Sequence, residues 1–388
     1  MAITLVRMNF AAVAAKIETV SGTDAIGGTP AAGDWIASDF TVDFDPVVVD
    51  NTELTGSLDK APSIVGGLRP RIQLKLPLRG SGSAGTAPEW GRLLQCCTMT
   101  ETITAVAVGA PTAATVGTTT SLTLVSPFLG TAQAYRGMPL LLSGDRTLTT
   151  GITDYSATRV ATIGETMATA GSTGTLAQVP INVLYAPTSD GSLIKTCTLY
   201  FFADGFVWKF TGAQGSFSLE LSTGGIAYLS FDLRAQMLAF TTAAMPTGWN
   251  SIVRQTPPRF VGGRCQLNRT LAQSRRLTLD AGVTVVLPDN PEAAEGYDPA
   301  IPTARASKGT IDPLMNTTGS VALYTAFKQG TQMPLMAMLG ASAGNRFLVT
   351  APLAKAVSFK PGAVDGLGKH DIAFNCEGAD AALFLASF

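Results

Sequence analysis

Hydrophobic and polar residues alternate along much of this chain, most cleanly in "RIQLKLPL", residues 71–78. Ile72, Leu74, Leu76 and Leu78 point one way and Arg71, Gln73, Lys75 and Pro77 the other, the period of two expected of an antiparallel strand with one wet face. Pro77 lacks a ladder donor, which predicts a strand away from the centre of its sheet. The same alternation runs through "DFTVDFDP", "RRLTLDAGVTVVLP", "GSFSLELSTGGIAYLSFDLRAQ" and "AVSFKPGAVDGLGKHDIAFNCEG", the last two broken by glycine turns into strand pairs. Two short helices interrupt the strands. One spans 88–97, with Trp90, Leu93, Leu94 and Cys97 at i, i+3, i+4, i+7, and opens on Thr86-Ala87-Pro88-Glu89, read as a capping box. The other lies at about 321–329.

These elements recur in order. "VVVDNTE" at the start is echoed by "VVLPDNPE", so Asp50-Asn51-x-Glu53 and Asp289-Asn290-x-Glu292 match in spacing. Each follows an alternating strand and is followed by a turn-rich stretch, a basic return strand, a helix and a closing strand pair. This reading gives long hairpins at 47–80 and about 283–313. The distance from helix to closing pair is far greater in the first half, where a tract rich in Thr, Ala, Gly and Val intervenes. That tract holds its own strand candidates, "SLTLVS", "GMPLLLSG" and "SATRVATI", as a small inserted β module would. The predicted organisation is a first domain from 1–97 and 185–248, an inserted module at 98–184, and a second domain at 249–388.

Composition narrows the function. Lys plus Arg number 27 against 28 Asp plus Glu, so no basic surplus advertises nucleic-acid binding. Charged residues make up only 14%, as suits a chain with much surface covered by other copies of itself. No apolar run approaches the ~18 to 20 residues of a membrane span. The N-terminus lacks a signal pattern, so synthesis in the cytoplasm is expected. Cys96, Cys97, Cys197, Cys265 and Cys376 have no paired C-x-x-C spacing and are read as buried small hydrophobes rather than disulfide partners or zinc ligands. His370, the one histidine, is read as a solvated strand-end residue.

Gly80, Gly82 and Gly85 spell G-x-G-x-x-G, the pattern of a dinucleotide-binding turn. The preceding strand alternates, whereas a central parallel strand would be continuously apolar. The predicted capping box also occupies the amides a phosphate would need. The glycines are therefore expected to let backbone pass close to a neighbour. No catalytic residue, metal site or cofactor is predicted.

"VAAKIETVSGTDA", "LRGSGSAGTAPEWGRLLQCC", "VLYAPTSDGSLIKTCTLYFFADGFVWKFTGAQGSFSLEL", "LSFDLRAQ", "GYDPAIPTARASKGTIDP" and "GNRF" resemble the tail tube (major tail) proteins of long-tailed bacteriophages. The resemblance implies a mainly β fold, a sandwich or barrel with one flanking helix and a long β-hairpin. Six such domains close into a ring, and rings stack around a tape-measure protein into a tube that later passes DNA. Tail terminator and distal tail proteins are implied as further partners and the virion as the final location. If the domain is duplicated, three chains supply six domains, a homotrimer with pseudo-sixfold symmetry. Asp50, Glu53, Asp59, Asp289, Glu292, Glu295 and Asp298 are the candidate channel-lining acids. Lys60, Arg69, Arg71, Lys75, Arg79, Arg305 and Lys308 are expected to pair with acids of neighbouring arms or rings. The rival readings are another ring-forming tail component, such as a terminator or baseplate ring, a contractile-injection tube protein, or a nucleotide-cofactor enzyme using the Gly80–Gly85 loop. A carbohydrate-binding sandwich would need Trp35, Trp90, Trp208 and Trp249 clustered on a surface.

Overall fold

The computed structural model describes residues 6–54, 56–249 and 254–388. The chain is mainly β. It begins with β1 (Ala11–Ile17), β2 (Trp35–Ile36), β3 (Asp39–Asp43), β4 (Pro46–Val49), β5 (Ile64–Leu68), β6 (Arg71–Pro77), the helix α1 (Gly91–Gln95) and β7 (Met99–Thr104). A separate group follows: β8 (Val108–Ala113), β9 (Val116–Gly117), β10 (Ser121–Thr123), β11 (Pro139–Gly144), β12 (Leu148–Tyr155), β13 (Val160–Ile163) and β14 (Thr175–Val179). Then come β15 (Asn182–Pro187), β16 (Cys197–Ala203), β17 (Phe206–Ser222) and β18 (Tyr228–Thr242). The last part holds β19 (Arg264–Leu267), β20 (Thr270–Leu271), β21 (Ser274–Asp280), β22 (Val283–Val286), β23 (Ile301–Arg305), β24 (Lys308–Pro313), α2 (Gly319–Gln329), β25 (Gln332–Leu339), β26 (Phe347–Val364), β27 (Leu367–Cys376) and β28 (Phe384–Ser387).

Antiparallel pairing threads eight of these strands into one curved arc, in the order β3, β6, β18, β17, β21, β24, β27, β26. Period-two alternation decides its faces. Ile72, Leu74, Phe217, Leu219, Phe231, Leu277, Leu279, Ile372 and Phe374 are buried in one core together with Trp90, Leu93 and Leu94 of the α1 region. Each such side chain contributes roughly 1.5–3 kcal/mol on leaving water. β6 lies between β3 and β18, inside the sheet rather than away from its centre. Pro77 is tolerated because it is the strand's last residue, beyond the reach of β3, so its missing N–H affects only the final rung.

The two long hairpins each bend. β3 and β6 belong to the arc, while β4 and β5 leave it as a two-stranded ribbon; β21 and β24 belong to the arc, while β22 and β23 leave it in the same way. The bends fall at Asp45, with φ 38°, and Gly282, with φ 61°. A Cβ at Gly282 would lie 2.2 Å from the Ala306 carbonyl oxygen, which is why glycine turns that corner.

The middle of the chain forms its own seven-stranded sheet, ordered β8-β14-β11-β12-β13-β10-β9. It is narrower than the tract 98–184 that composition marks out, because β7 and β15 pair with each other in the large sheet. Its core does not stand alone: Phe128, Leu140, Ile152 and Tyr155 pack with Met336, Leu348 and Phe384 from the last part of the chain. β28 pairs with both β15 and β26, tying first and last parts together.

α1 is shorter than the predicted 88–97, and its N-cap residue Trp90 carries no side-chain cap. The capping box of Thr86 and Glu89 does not form. The Glu89 carboxylate meets Arg79 at 2.7 Å and Arg254 at 3.2 Å, and two charge-assisted contacts outweigh one amide. α2 starts at Gly319, two residues before the expected start, and ends on Gly330 in the left-handed conformation, φ 65°.

Candidate assembly surface

The polar face of the arc is made by the residues that alternation turns outward. Its charges are matched across strands: Arg71 holds Asp232 through two hydrogen bonds, one of 2.8 Å, Arg276 meets Glu220 at 2.8 Å, and Lys308 faces Asp280 at 3.8 Å. The Asp232 carboxylate holds the Arg71 guanidinium above its ordinary pKa. Lys75 lies over the Tyr228 ring, 4.8 Å from its centroid. Between them run hydroxyls, with the Thr278 and Thr310 side chains 2.6 Å apart. A trough of about 870 Å³ crosses this face, lined by Asp39, Gln73, Lys75, Ser216, Asp232 and Lys308 among others. Such a surface is hydrophilic, and Arg71, Lys75, Arg276 and Lys308 on it already have partners.

The arc has two rims. β3 pairs with β6 on one side, and among the described residues nothing pairs with its other side. β26 pairs with β25 along 347–355, but beyond that point, among the described residues, its ladder runs only to β27, leaving residues 358–364 as the second rim. β17 is laid out like β26, with β16 beside its first part, except that its residues 218–222 are covered by β21. Open rims present unpaired amides and carbonyls and template further pairing.

The candidate acids sit in the loops that cap the ribbons rather than in the ribbon strands. Asp50 pairs with Lys60 at 2.7 Å across the first loop, and Ser57 holds Asp59. Asn51 accepts the Glu53 amide at 3.0 Å, and Asn290 accepts the Glu292 amide at 2.9 Å, so the two Asp-Asn-x-Glu motifs make the same local turn. Asp289 bridges to Tyr297, and Asp298 accepts the Asn290 side-chain amide at 2.7 Å. Glu295 reaches back to accept the Leu68 amide at 3.1 Å, binding the second loop to the first ribbon.

Among the described residues, Lys60 is the one candidate base that meets a candidate acid. Arg69 meets Asp45 at 3.3 Å, Arg71 meets Asp232, Arg79 meets Glu89, Arg305 meets Asp380 at 2.7 Å and Lys308 meets Asp280. These partners lie within the chain, Asp232 and Asp280 on strands and Asp45, Glu89 and Asp380 in the connections between elements. Asp43 and Asp280 carried a readable signal: each is the last residue of an alternating strand, opposite the first base of its return strand.

The glycine loop is packed against another backbone. Gly80 donates to the Asn345 side chain at 2.8 Å and Gly82 to the Gly344 carbonyl at 3.2 Å, while a Cβ at Gly80 would stand 1.8 Å from the Gly344 oxygen. The Gly80 and Gly82 amides of the motif are thus committed to protein acceptors. All five cysteines are buried and free, with Cys96, Cys97, Cys265 and Cys376 pushed up in pKa by burial. His370 is not solvated: it lies buried in β27 against the Phe359 ring, centroids 4.5 Å apart, and burial lowers its pKa. Trp35 and Trp90 are buried in cores, and Trp208 stacks on Phe240 at 4.7 Å. Among the described residues no three His, Cys, Asp or Glu side chains are grouped for a metal, and no helix is long and apolar enough to cross a membrane. Compared with protein-family models and with curated proteins, the sequence matches none.

Proposed function

We propose that this chain is a structural subunit whose copies join rim to rim into rings and stack as a tube, the tail tube of a long-tailed bacteriophage. The observation that carries this reading is the joint between β17 and β21, which links two like four-strand units into one arc while leaving a rim free at each end.

A tandem duplication of the tail-tube type is part of the proposal. It is supported by the recurrence of pairings: β1 on β16 on β17 on β18 on β6 on β3, and β19 on β25 on β26 on β27 on β24 on β21. The inserted strands β8–β14 interrupt only the first series. Head-to-tail contacts between unlike rims generate a closed ring when the rotation closes, and three chains of two units make six positions. The polar face of the arc would then line the channel. Arg71, Arg276 and Lys308 on it are paired with acids, so passing DNA gains little from displacing counterions there and slides. Glu53 and Glu292, both exposed, add repulsion toward phosphates at the channel ends of the ribbons. A tape-measure protein would fill the channel before DNA does, with a terminator and distal tail proteins at the tube ends.

Electron microscopy of the purified chain at rising concentration tests the reading. Tubes of indefinite length with threefold rings are expected. Single capping rings would favour a terminator or baseplate component instead, and particles that never exceed one chain would overturn ring formation.

A further inference from the structure

We infer that residues 360–364 of β26 zip antiparallel onto β3 of a second copy in one register, with Lys360 opposite Asp43, Gly362 opposite Thr41 and Val364 opposite Asp39. The inference rests on the rim-to-rim reading above and specifies which residues meet.

The register comes from the joint inside the chain, where Ser218 faces Asp280, Glu220 faces Thr278 and Ser222 faces Arg276. Two correspondences carry it across. Asp43 opposite Arg71 occupies the place of Asp280 opposite Lys308, each at the bend into a ribbon, so Thr41 matches Thr278 and Asp39 matches Arg276. Arg71 lies opposite Arg234 on its other side as Lys308 lies opposite Asn375, and counting back along both hairpins puts Ser358 in the place of Ser216 and Lys360 in that of Ser218.

The chemistry of the two rims fits this alignment. Lys360 is exposed and has no ion-pair partner among the described residues, and Asp43 is exposed at the end of β3. Placed directly opposite on one face, unlike charges attract. On the other face Pro361 meets Val42 and Ala363 meets Phe40, small against large and apolar throughout. Pro361 is a residue that sheets tolerate at an edge, where it discourages indiscriminate pairing. The same step from copy to copy explains a second exposed feature. The loop 287–300 lies across the first unit, its Pro299 close to Gly22 and Gly212 and its Tyr297 carbonyl accepting the Gln236 side chain at 2.5 Å. Its counterpart in the first ribbon leaves Leu54 and Leu58 fully exposed, at 102% and 108%. A neighbouring second unit is what would cover them.

Paired cysteines read the register. Facing Cα atoms of an antiparallel pair lie about 4.5–5.5 Å apart, within the span a disulfide bridges. The double variant Thr41→Cys/Gly362→Cys should form disulfide-linked dimers and trimers under mild oxidation, whereas either single variant and the shifted pair Asp39→Cys/Gly362→Cys should not. Micrographs of the same samples separate the two levels of argument. Rings or tubes without the in-register cross-link overturn the register and leave the tube reading standing; cross-linked open strings uphold the register and overturn the tube. A surface charge swap covers the case in which a cysteine variant fails to fold. Lys360→Glu should raise the concentration for half-maximal assembly by about tenfold, and Asp43→Lys added to it should restore assembly. Assembly of Lys360→Glu at the wild-type concentration would overturn the pairing.

Discussion

The Glu295 carboxylate accepts a hydrogen bond from the Leu68 amide at 3.1 Å, so the loop of the second ribbon is fastened to the return strand of the first. Gly67 makes this approach possible: a Cβ there would stand 1.8 Å from the Glu295 carbonyl oxygen. Gly67→Ala is expected to cost about 1–3 kcal/mol, as overpacking does, and to release the loop. Urea denaturation gives the first quantity and hydrogen exchange at Leu68 the second; unchanged protection of that amide would contradict the contact.

Glu89 sits between two guanidiniums, with side-chain exposure of 16%, beside Arg79 at 12% and Arg254 at 22%. Removing the carboxylate leaves two positive charges together and half-buried, which should destabilise the chain by about 2 kcal/mol in Glu89→Ala. Thr86→Ala should cost less than about 0.5 kcal/mol, since the Thr86 hydroxyl caps no helix. Equal losses in the two variants, measured by chemical denaturation, would restore the capping box.

His370 supplies a pH dependence whose sign is fixed by its burial. Its native pKa lies below the ordinary value of about 6.5, so the unfolded chain binds the proton more readily. The stability it allows is present above that value and declines as pH falls through it toward the lowered native one. His370→Phe, which keeps an aromatic ring against Phe359, should remove this part of the decline. Wild type and variant should therefore differ more in the variant's favour at pH 5 than at pH 7.5 in urea midpoint; parallel shifts would count against a neutral buried imidazole.

Assembly should begin slowly. The first ribbon exposes Val48, Val49, Ile64 and Val65 on its strands and Leu54 and Leu58 in its loop, and segments that bury so little should order only when a neighbour arrives. A chain prepared fresh should be largely monomeric, with a lag in light scattering that preformed rings abolish. Immediate growth at low concentration, unaffected by seeds, would refute the requirement for a template.

Glu53→Lys combined with Glu292→Lys tests the proposed channel role of these two acids. Both side chains are exposed, so tubes should form normally while DNA delivery falls. Unimpaired delivery through tubes of the double variant would remove these residues from the channel's function.

The strands with wet and dry faces were legible in the sequence, because period-two alternation sets which side of a pleat each residue occupies whatever the partner. The recurrence of Asp-Asn-x-Glu was legible for the same reason: Asn51 and Asn290 close their turns on amides two residues away, so local residues suffice. The burial of the five cysteines agrees with reading them, unpaired in spacing, as small hydrophobes. Partners were another matter. Alternation says that β6 has two faces but not that β3 and β18 flank it, and so Pro77 misdirected the reading. Arg79 and Arg254 take Glu89 from its predicted cap, the second from 165 positions away, and Phe359 draws His370 out of solvent. The joint of β17 with β21 and the insertion of β28 between β15 and β26 were likewise decided only by the tertiary structure. The physical reason is common to all of these. Local pattern determines which groups need burial or a partner, whereas the choice among many equivalent edges and charges depends on which distant segments can share one core.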